Sequence, residues 1–537
     1  MRHELTLIDV LERAERYFGD REIVSRKPDD SLARTTYGSV AERSRRLSAA
    51  LGSLGIERGE RVATLGWNHS DHLEAYLGVP VAGAVLHTVN PRLHPDDIAY
   101  VMREADDRAL LIDQSLLPVI EDLPAEARPS HVIVWATHPA SLPHGAVDYE
   151  QLLAANDPVT SYPAIAEDDP ASMCFTSATT GRPKGVVYSH RALVLHSIVS
   201  AMPDAFDISG RDVVMPAVPM FHVNAWGLPY TAAMVGAGLV FPGPQLDAAS
   251  LLELIVGQAV TFTAGVPTVW LRVLEAIRQG SESVDLSNLR TVLIGGSAAA
   301  PAVIEAFDEL GVSVLHAWGM TETTPIGTVS RLKPNLLAAP RDEQIRFRSM
   351  QGLPSPLVEI RAHGPEGPTP WDGESMGELE VRGPWVAGSY VNGVGEDRFT
   401  DDGWLRTGDI VAIDSEGYVR IVDRTSDLIK SGGEWISSLD LENTLMEHPS
   451  VAEAAVIAVP DEVWTERPLA VVVPAGEVTA EELLDVLRKR FAKWQVPDAV
   501  VFVEEIPKTA TGKMNKRDLR ERVGNKASTG MEPTWMR

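Results

Sequence analysis

The 537-residue sequence has a single cysteine, Cys174. One thiol closes no disulfide within the chain and completes no CxxC metal site, so a disulfide scaffold or a zinc ribbon is not available. Set in "ASMCF", it reads as a small buried strand residue in preference to a nucleophile. Cationic side chains are also scarce. Against 75 Asp and Glu stand 48 Lys and Arg, a formal net charge of −27. That balance argues against nucleic acid or an anionic membrane as a general partner, although clustered cations and backbone N–H groups still hold a polyanion locally. A long apolar run is missing too. Val213 to Leu246 carries no Asp, Glu, Lys or Arg, but Pro216, Pro219, Pro229, Pro242 and Pro244 interrupt it, as do Gly227, Gly236, Gly238 and Gly243. Buried strands and a short helix joined by turns fit this pattern, and a membrane span does not. At the N-terminus, Glu4 and Asp9 stand where a secretory signal needs apolar residues, so the cytoplasm is the expected compartment.

The length exceeds what one ordinary core fills, so two or more domains are expected. Helical and strand periods alternate. Tyr37, Val40, Leu47, Leu51 and Leu54 recur at helical spacing before the strand "RVATLGW"; helical "HLEAYLGVPVAGAV" precedes the strand "ALLIDQ"; and the strand "TVLIGG" precedes helical "AAPAVIEAFDEL". This is the signature of an α/β fold with largely parallel sheets. From about residue 350 to 424 short alternating strands ("VEIRAHGPEG", "GELEVRG", "GYVRIVDR") indicate a β-rich subdomain. Beyond it, "SLDLENTLMEHPSV" and "TAEELLDVLRKRFAKW" read as helices and "AAVIAV", "LAVVVPA" and "AVVFVEEI" as strands, a small α+β domain. The expected division is 1–424 and 425–537.

The stretch "FTSATTGRPKG" (175–185) has the makings of a phosphate loop. Thr176, Ser177, Thr179 and Thr180 offer hydroxyls, Gly181 a close backbone approach and Lys184 a charge. It is not a Walker A loop, because Gly185 and a valine follow the lysine; near the C-terminus "TGKM" fails for the same kind of reason. In isolation such a loop is as readily a polar surface turn.

It is not isolated. "TSATTGRPKGVVYSH" resembles the phosphate-binding loop of the adenylate-forming enzymes, which comprise acyl-CoA synthetases, peptide-synthetase adenylation domains and luciferases. In the same order as in that family follow "PMFHVNAWG", "IGGSAAAP", "HAWGMTETTP", "GELEVRG", "DGWLRTGD", "VDRTSDLIKSGGEWIS" and "IPKTATGKMNKRDLR". Together the matches span residues 175 to 520. "HAWGMTE" and "KSGGEWISSLDLEN" look most like medium-chain fatty acyl-CoA and 3-methylmercaptopropionyl-CoA ligases.

The resemblance implies ATP-dependent activation of a carboxylic acid and transfer to coenzyme A, with ATP, Mg2+ and coenzyme A as the small molecules used. It implies roles residue by residue. Thr176, Ser177, Thr179, Thr180, Gly181 and Lys184 would hold the β- and γ-phosphates. Thr321 would touch the α-phosphate and Glu322 ligate magnesium, a hard cation suited to oxygen. Gly295, Gly296, Ser297 and Ala298, with His316, Ala317, Trp318 and Gly319, would frame adenine. Asp409 and Arg424 would reach the ribose. Lys513, carried by a mobile C-terminal domain, would bridge carboxylate and α-phosphate. Lys430, Gly432 and Gly433 would border the coenzyme A arm, with Arg467, Lys493 and Trp494 as candidates for its nucleotide end. His222, Asn224, Trp226, Val266 and Trp270 would line the acyl pocket. Those segments supply apolar groups and few cations, so a medium-chain, short thio-substituted or aryl acid is the expected substrate. A homodimer stays open.

Two departures stand out. Ala178 occupies a position where relatives usually have Gly, and Ser426 a hinge position where they generally have Asp or Lys. Two other readings are compatible with the motifs. One is an adenylating enzyme serving a carrier-protein thiol, an amine or nitrite. The other is a non-catalytic descendant, against which Glu322, Asp409, Arg424 and Lys513 all speak.

Overall fold

The computed structural model describes residues 3–176, 182–280, 284–364, 366–431, 434–461, 463–508 and 514–528. These fall into two compact units. One gathers Arg182–Glu359 and Val381–Leu405 with the chain before them; the other holds Ile360–Glu380 and the chain from Arg406 onward.

Two sheets build the first unit. The larger has nine strands in the order Leu353–Pro354, Ile326–Val329, Ser313–Gly319, Thr291–Ile294, Phe262–Gly265, Val213–Pro216, Gly238–Phe241, Glu22–Arg26, Leu32–Thr36. The pairs from Ser313–Gly319 through to Glu22–Arg26 are parallel, while the two pairs at the Leu353–Pro354 end and the one at the Leu32–Thr36 end are antiparallel. The other has seven strands: Val147–Asp148, His131–Trp135, Asp107–Asp113, Arg61–Leu65, Val85–Thr88, Pro170–Phe175, Gly185–Ser189. Only its last pair is antiparallel. The central strands are buried on both faces, which is why they read as unbroken apolar runs such as Ala109–Ile112. Side-chain caps mark where strands give way to helices. Thr36 accepts a hydrogen bond from the Ser39 N–H to start the helix Tyr37–Ser53, and Ser189 accepts from the Ala192 N–H to start His190–Ala201.

In the second unit, a five-stranded sheet runs Gly367–Pro368, Glu359–Gly364, Met376–Arg382, Leu405–Ile413, Val419–Arg424. A further sheet, centred on the long hairpin Val451–Asp461/Thr465–Pro474, packs helices on both faces. Alternate strand residues point opposite ways. Val456, Ala470 and Val472 meet Leu441, Leu445, Leu483 and Leu487, whereas Ile457, Leu469 and Val471 meet Ile506 and Leu519.

One local reading differs from the structure, and one helix had no expectation to meet. The helix expected through Trp494 is Ala480–Arg488; beyond it the Arg490 N–H donates to the Leu487 carbonyl three residues back, and Phe491 packs on the core. The helix Lys516–Ser528 carries no apolar stripe to announce it; Leu519 is its buried anchor. Cys174 lies buried in its strand, where burial pushes the thiol up to about 11. Among the described residues no helix is long and apolar enough to cross a membrane.

Four histidines of the first unit are buried and held neutral by that burial: His72 and His196 at about 3, His190 and His316 at about 4. Their folded values lie below the unfolded one. Their contribution is therefore complete above pH 6.5 and is lost as pH falls towards 4 and 3, because only the unfolded chain takes up the protons. By pH 5 each histidine withdraws about 2 kcal/mol. Urea unfolding at pH 7.5 and pH 5.0 is expected to show a clearly lower midpoint at pH 5.0. Equal midpoints would mean that these imidazoles are not neutral in the fold.

Candidate active site

The segments singled out in the first unit converge on the carboxyl ends of parallel strands, where open α/β sheets present their binding crevices. Thr291–Ile294 runs directly into Gly295–Ala298. Gly296 has φ +81°, a conformation that favours glycine, and a Cβ at Gly295 would lie 3.0 Å from the Trp226 ring and 3.1 Å from the Ala317 carbonyl. Ser297 is exposed, with Gly296 and Ala298 half-buried. The neighbouring strand Ser313–Gly319 brings His316, Ala317, Trp318 and Gly319 alongside. His316 is buried and its Nδ1 bonds the Ser349 carbonyl. The Trp318 ring packs against Gly327, where a Cβ would come within 2.4 Å of it.

The chain then makes the short turn Thr321–Thr323, which is held from several sides. The Tyr188 hydroxyl donates to the Thr321 carbonyl at 2.8 Å, the Ala387 N–H to the Glu322 carbonyl at 2.7 Å, and the Thr324 hydroxyl to the Trp385 carbonyl at 2.5 Å. Glu322 is buried, and one of its carboxylate oxygens accepts from the Tyr390 hydroxyl at 2.5 Å. Burial, and then the Glu322 charge, keep the Tyr390 phenol protonated well above its usual range.

Tyr390 also links Glu322 to the loop hairpin. The Lys184 ammonium sits over the Tyr390 ring, 4.9 Å from its centre. Lys184 and Thr176 close the hairpin: the Thr176 N–H donates to the Lys184 carbonyl at 2.9 Å, and the Lys184 N–H to the Thr176 hydroxyl at 3.1 Å. The structure thus brings Thr176, Lys184, Tyr390 and Glu322 together. Ser177, Thr179, Thr180 and Gly181, with Ala178, lie outside the described residues, as do Gly432, Gly433 and Lys513.

The expected acyl segment has an unusual backbone. Val223, Asn224, Ala225 and Trp226 all have φ between +44° and +58°, ending at Gly227 with +72°. A left-handed turn of non-glycine residues costs roughly 1–2 kcal/mol per residue, so neighbours must impose it. Asn224 is pinned to the strand Pro170–Phe175: its amide donates to the Ser172 hydroxyl at 3.1 Å and its carbonyl accepts from the Cys174 thiol at 3.3 Å. His222 is half-buried just before the turn. Val266 caps the helix Pro267–Gln279, while Trp270 is wholly buried in the core with its ring edge-on to Phe307.

In the second unit Asp409 and Arg424 face each other across neighbouring strands, and the guanidinium meets the buried carboxylate at 2.6 Å. Ser426 lies in the exposed turn that follows. Lys430 is exposed on the strand Ile429–Ser431. Arg467 is engaged structurally: it pairs with both Asp498 oxygens at 2.8 Å and donates to the carbonyls of Trp494 and Val496.

Motif reading did not find Tyr390 or Trp385. They sit more than sixty residues after Glu322 in a stretch without periodicity, and only folding brings them to it.

A buried carboxylate linked to a lysine through Tyr390, with a glycine turn at the ends of parallel strands, lies where open α/β sheets bind their ligands. A model described as AMP-binding enzyme matches residues 11–391, and one described as AMP-binding enzyme C-terminal domain matches residues 440–513. The chain belongs to the AMP-binding enzyme family. It is 51% identical over 531 residues to a long-chain-fatty-acid–CoA ligase of Thermus thermophilus, with 98% of this chain and 97% of that one covered. Identity is 43% to a medium-chain-fatty-acid–CoA ligase of Ectopseudomonas oleovorans (98% and 97% covered) and 44% to a 3-methylmercaptopropionyl-CoA ligase of Ruegeria pomeroyi (97% and 98%). Its structure is similar to that of the anthranilate CoA ligase AuaEII in complex with anthranoyl-AMP, with a TM-score of 0.87, 26% identity and 98% and 99% of the two chains covered.

Proposed function

We propose that this protein is an AMP-forming acyl-CoA ligase that uses ATP, Mg2+ and coenzyme A. A carboxylate oxygen attacks the α-phosphorus of ATP, pyrophosphate leaves, and a mixed acyl–phosphate anhydride forms. The coenzyme A thiolate then attacks the acyl carbonyl, AMP leaves, and a thioester results. The first step brings two anions together, so its chief need is charge neutralisation and alignment.

One observation carries the reading: a single side chain, Tyr390, touches both Glu322 and Lys184. A carboxylate suited to a cation and an ammonium suited to phosphate would then share one neighbour. Among the described residues no group of three or more acidic, His or Cys side chains gathers to hold a metal. One buried carboxylate suits magnesium, which takes few protein ligands when polyphosphate supplies the rest. Bound there, the ion would neutralise phosphate charge. Gly295–Ala298 and Trp318 would receive adenine, Asp409 and Arg424 the ribose, and Lys513 would come from the C-terminal domain, for which we retain 425–537. The acyl group would meet Trp226 and the Val223–Gly227 turn, an apolar environment suited to an acid with one charged end. Fatty acids of medium to long chain, 3-methylmercaptopropionate and aryl acids are the candidates, and the cytoplasm is the proposed setting.

The test measures pyrophosphate release from ATP and Mg2+ with acids from hexanoate to palmitate, 3-methylmercaptopropionate and benzoate, with and without coenzyme A. Acid-dependent release stimulated by coenzyme A is expected. Release indifferent to coenzyme A but raised by an amine, nitrite or carrier protein would move the acceptor, and no release with any acid would overturn the reading.

Tyr390→Phe checks the central contact. A hydrogen bond to a charged group contributes about 1.5–3 kcal/mol. The variant is expected to lose about ten- to a hundredfold in kcat/KM for ATP and to need more Mg2+ for half-maximal rate. An unchanged Mg2+ requirement would separate Tyr390 from the cation.

A further inference from the structure

The left-handed turn Val223–Gly227 is held at three points. Asn224 is bonded to Ser172 and Cys174, and the Trp226 ring packs on Gly295. The third is His196, on the helix His190–Ala201, whose imidazole is wholly buried and lies directly beneath Gly227. A Cβ at Gly227 would sit 2.5 Å from His196 Cε1, so the ring and the turn are in contact with no room to spare.

The same ring faces the nucleotide side. The Ile326 N–H donates to His196 Nε2 at 3.4 Å. A backbone N–H can only donate, which makes Nε2 the lone-pair nitrogen and leaves Nδ1 to carry the proton towards the Ser200 hydroxyl, 3.4 Å away. Trp385 meets the imidazole edge-on at 6.1 Å, donates its own N–H to the Ile326 carbonyl at 2.9 Å, and accepts at its carbonyl from Thr324. Two residues further on, the Ala387 N–H holds the Glu322 carbonyl. One side of the imidazole therefore supports the turn expected to receive the acid, and the other supports the segment that carries Thr321 and Glu322.

We infer that His196 is a positioning residue that sets the Val223–Gly227 turn and the Thr321–Ile326 segment in register, so that acid and ATP are aligned for the first step. This rests on the acyl-CoA ligase reading above. The ring itself touches no reacting atom. Its contribution is alignment, and a displacement of about 1 Å is enough to slow such a reaction by two orders of magnitude. Seating either ligand would then also be felt by the other through one rigid ring, a coupling that must be reciprocal.

The test compares His196→Phe and His196→Gln in the full chain, using the acid from the panel that the wild type turns over best. Phenylalanine keeps the packing on Gly227 and Trp385 but offers Ile326 no acceptor; glutamine restores an oxygen near the Nε2 position. Pyrophosphate release by His196→Phe is expected to fall at least tenfold in kcat, with KM for ATP within threefold of wild type, and His196→Gln to recover to within threefold. A purely structural role would lower the melting temperature and leave kcat per folded molecule unchanged, and that result overturns the inference. Should His196→Phe not fold, Gly227→Ala presses on the ring from the other side and must give the same loss in kcat. A folded Gly227→Ala with wild-type kcat overturns it equally. A wild type silent towards every acid overturns the ligase reading and this inference together, whereas an active wild type with an equally active His196→Phe overturns this inference alone.

Discussion

Lys513→Ala is expected to lower adenylate formation by about a hundred- to a thousandfold while leaving thioester formation from supplied acyl-adenylate within a few-fold of wild type. The first step drives a carboxylate against a phosphate that is already anionic. Negative charge accumulates between them, where a preorganised cation is effective. The family resemblance puts the lysine of "TATGK" at that position. The second step has different needs: a thiolate attacks a carbonyl already activated by its AMP leaving group, and the resemblance has the C-terminal domain turned so that this lysine has left. Pyrophosphate release and coenzyme A-dependent consumption of purified octanoyl-AMP separate the two steps. Equal loss in both would remove Lys513 from its proposed role and reduce it to a residue the fold requires.

Much of the scaffold was legible because burial leaves a period. The strand "RVATL" and the helix from Tyr37 to Ser53 repeat apolar residues at the spacings that two-sided and one-sided burial demand. Proline and glycine in the uncharged run 213–246 pointed to buried strands and a short helix, and the structure has the strands Val213–Pro216 and Gly238–Phe241 with the short helix Leu228–Val235 between them. Helix Lys516–Ser528 was not legible, since one buried leucine on a charged helix makes no stripe. The site divides similarly. Local motifs mark chain segments, and Thr176, Lys184 and Glu322 do come together. The side chains that bring them together are Tyr390, Tyr188, Trp385 and His196. They act through contacts between residues far apart in sequence, and a single sequence holds no trace of a contact. Nor does it show a backbone held against its preference, as at Val223, a β-branched residue at φ +44°.

Lys516 shows how much this matters, because in the sequence it stands three residues from Lys513 as one more cation of a basic stretch. In the fold it is almost entirely buried, with its ammonium 2.6 Å from Glu442 and 2.5 Å from the Ser438 hydroxyl. Burial alone would depress the ammonium, but Glu442, Asp423 and Asp427 outweigh it and hold Lys516 above its usual range. The carboxylates are themselves bonded to the backbone: Glu442 accepts from the Val456 N–H at 2.6 Å and Asp423 from the Ser438 N–H at 2.6 Å. Helix Lys516–Ser528 is thereby tied to helix Ser438–Met446 and to the strand that ends at Arg424. Removing one partner of a buried ion pair strands the other charge and typically costs about 3–5 kcal/mol. Lys516→Met leaves two buried carboxylates facing an apolar side chain, and a loss of that size is expected in urea unfolding of the full chain. Adding Glu442→Gln removes the charge closest to the lost ammonium, so the double variant should recover part of the loss. Adenylate formation per folded molecule should survive in Lys516→Met, in contrast to Lys513→Ala. A Lys516→Met protein as stable as wild type would mean that Glu442 and Asp423 take up protons at little cost, and that this buried cation is dispensable to the fold.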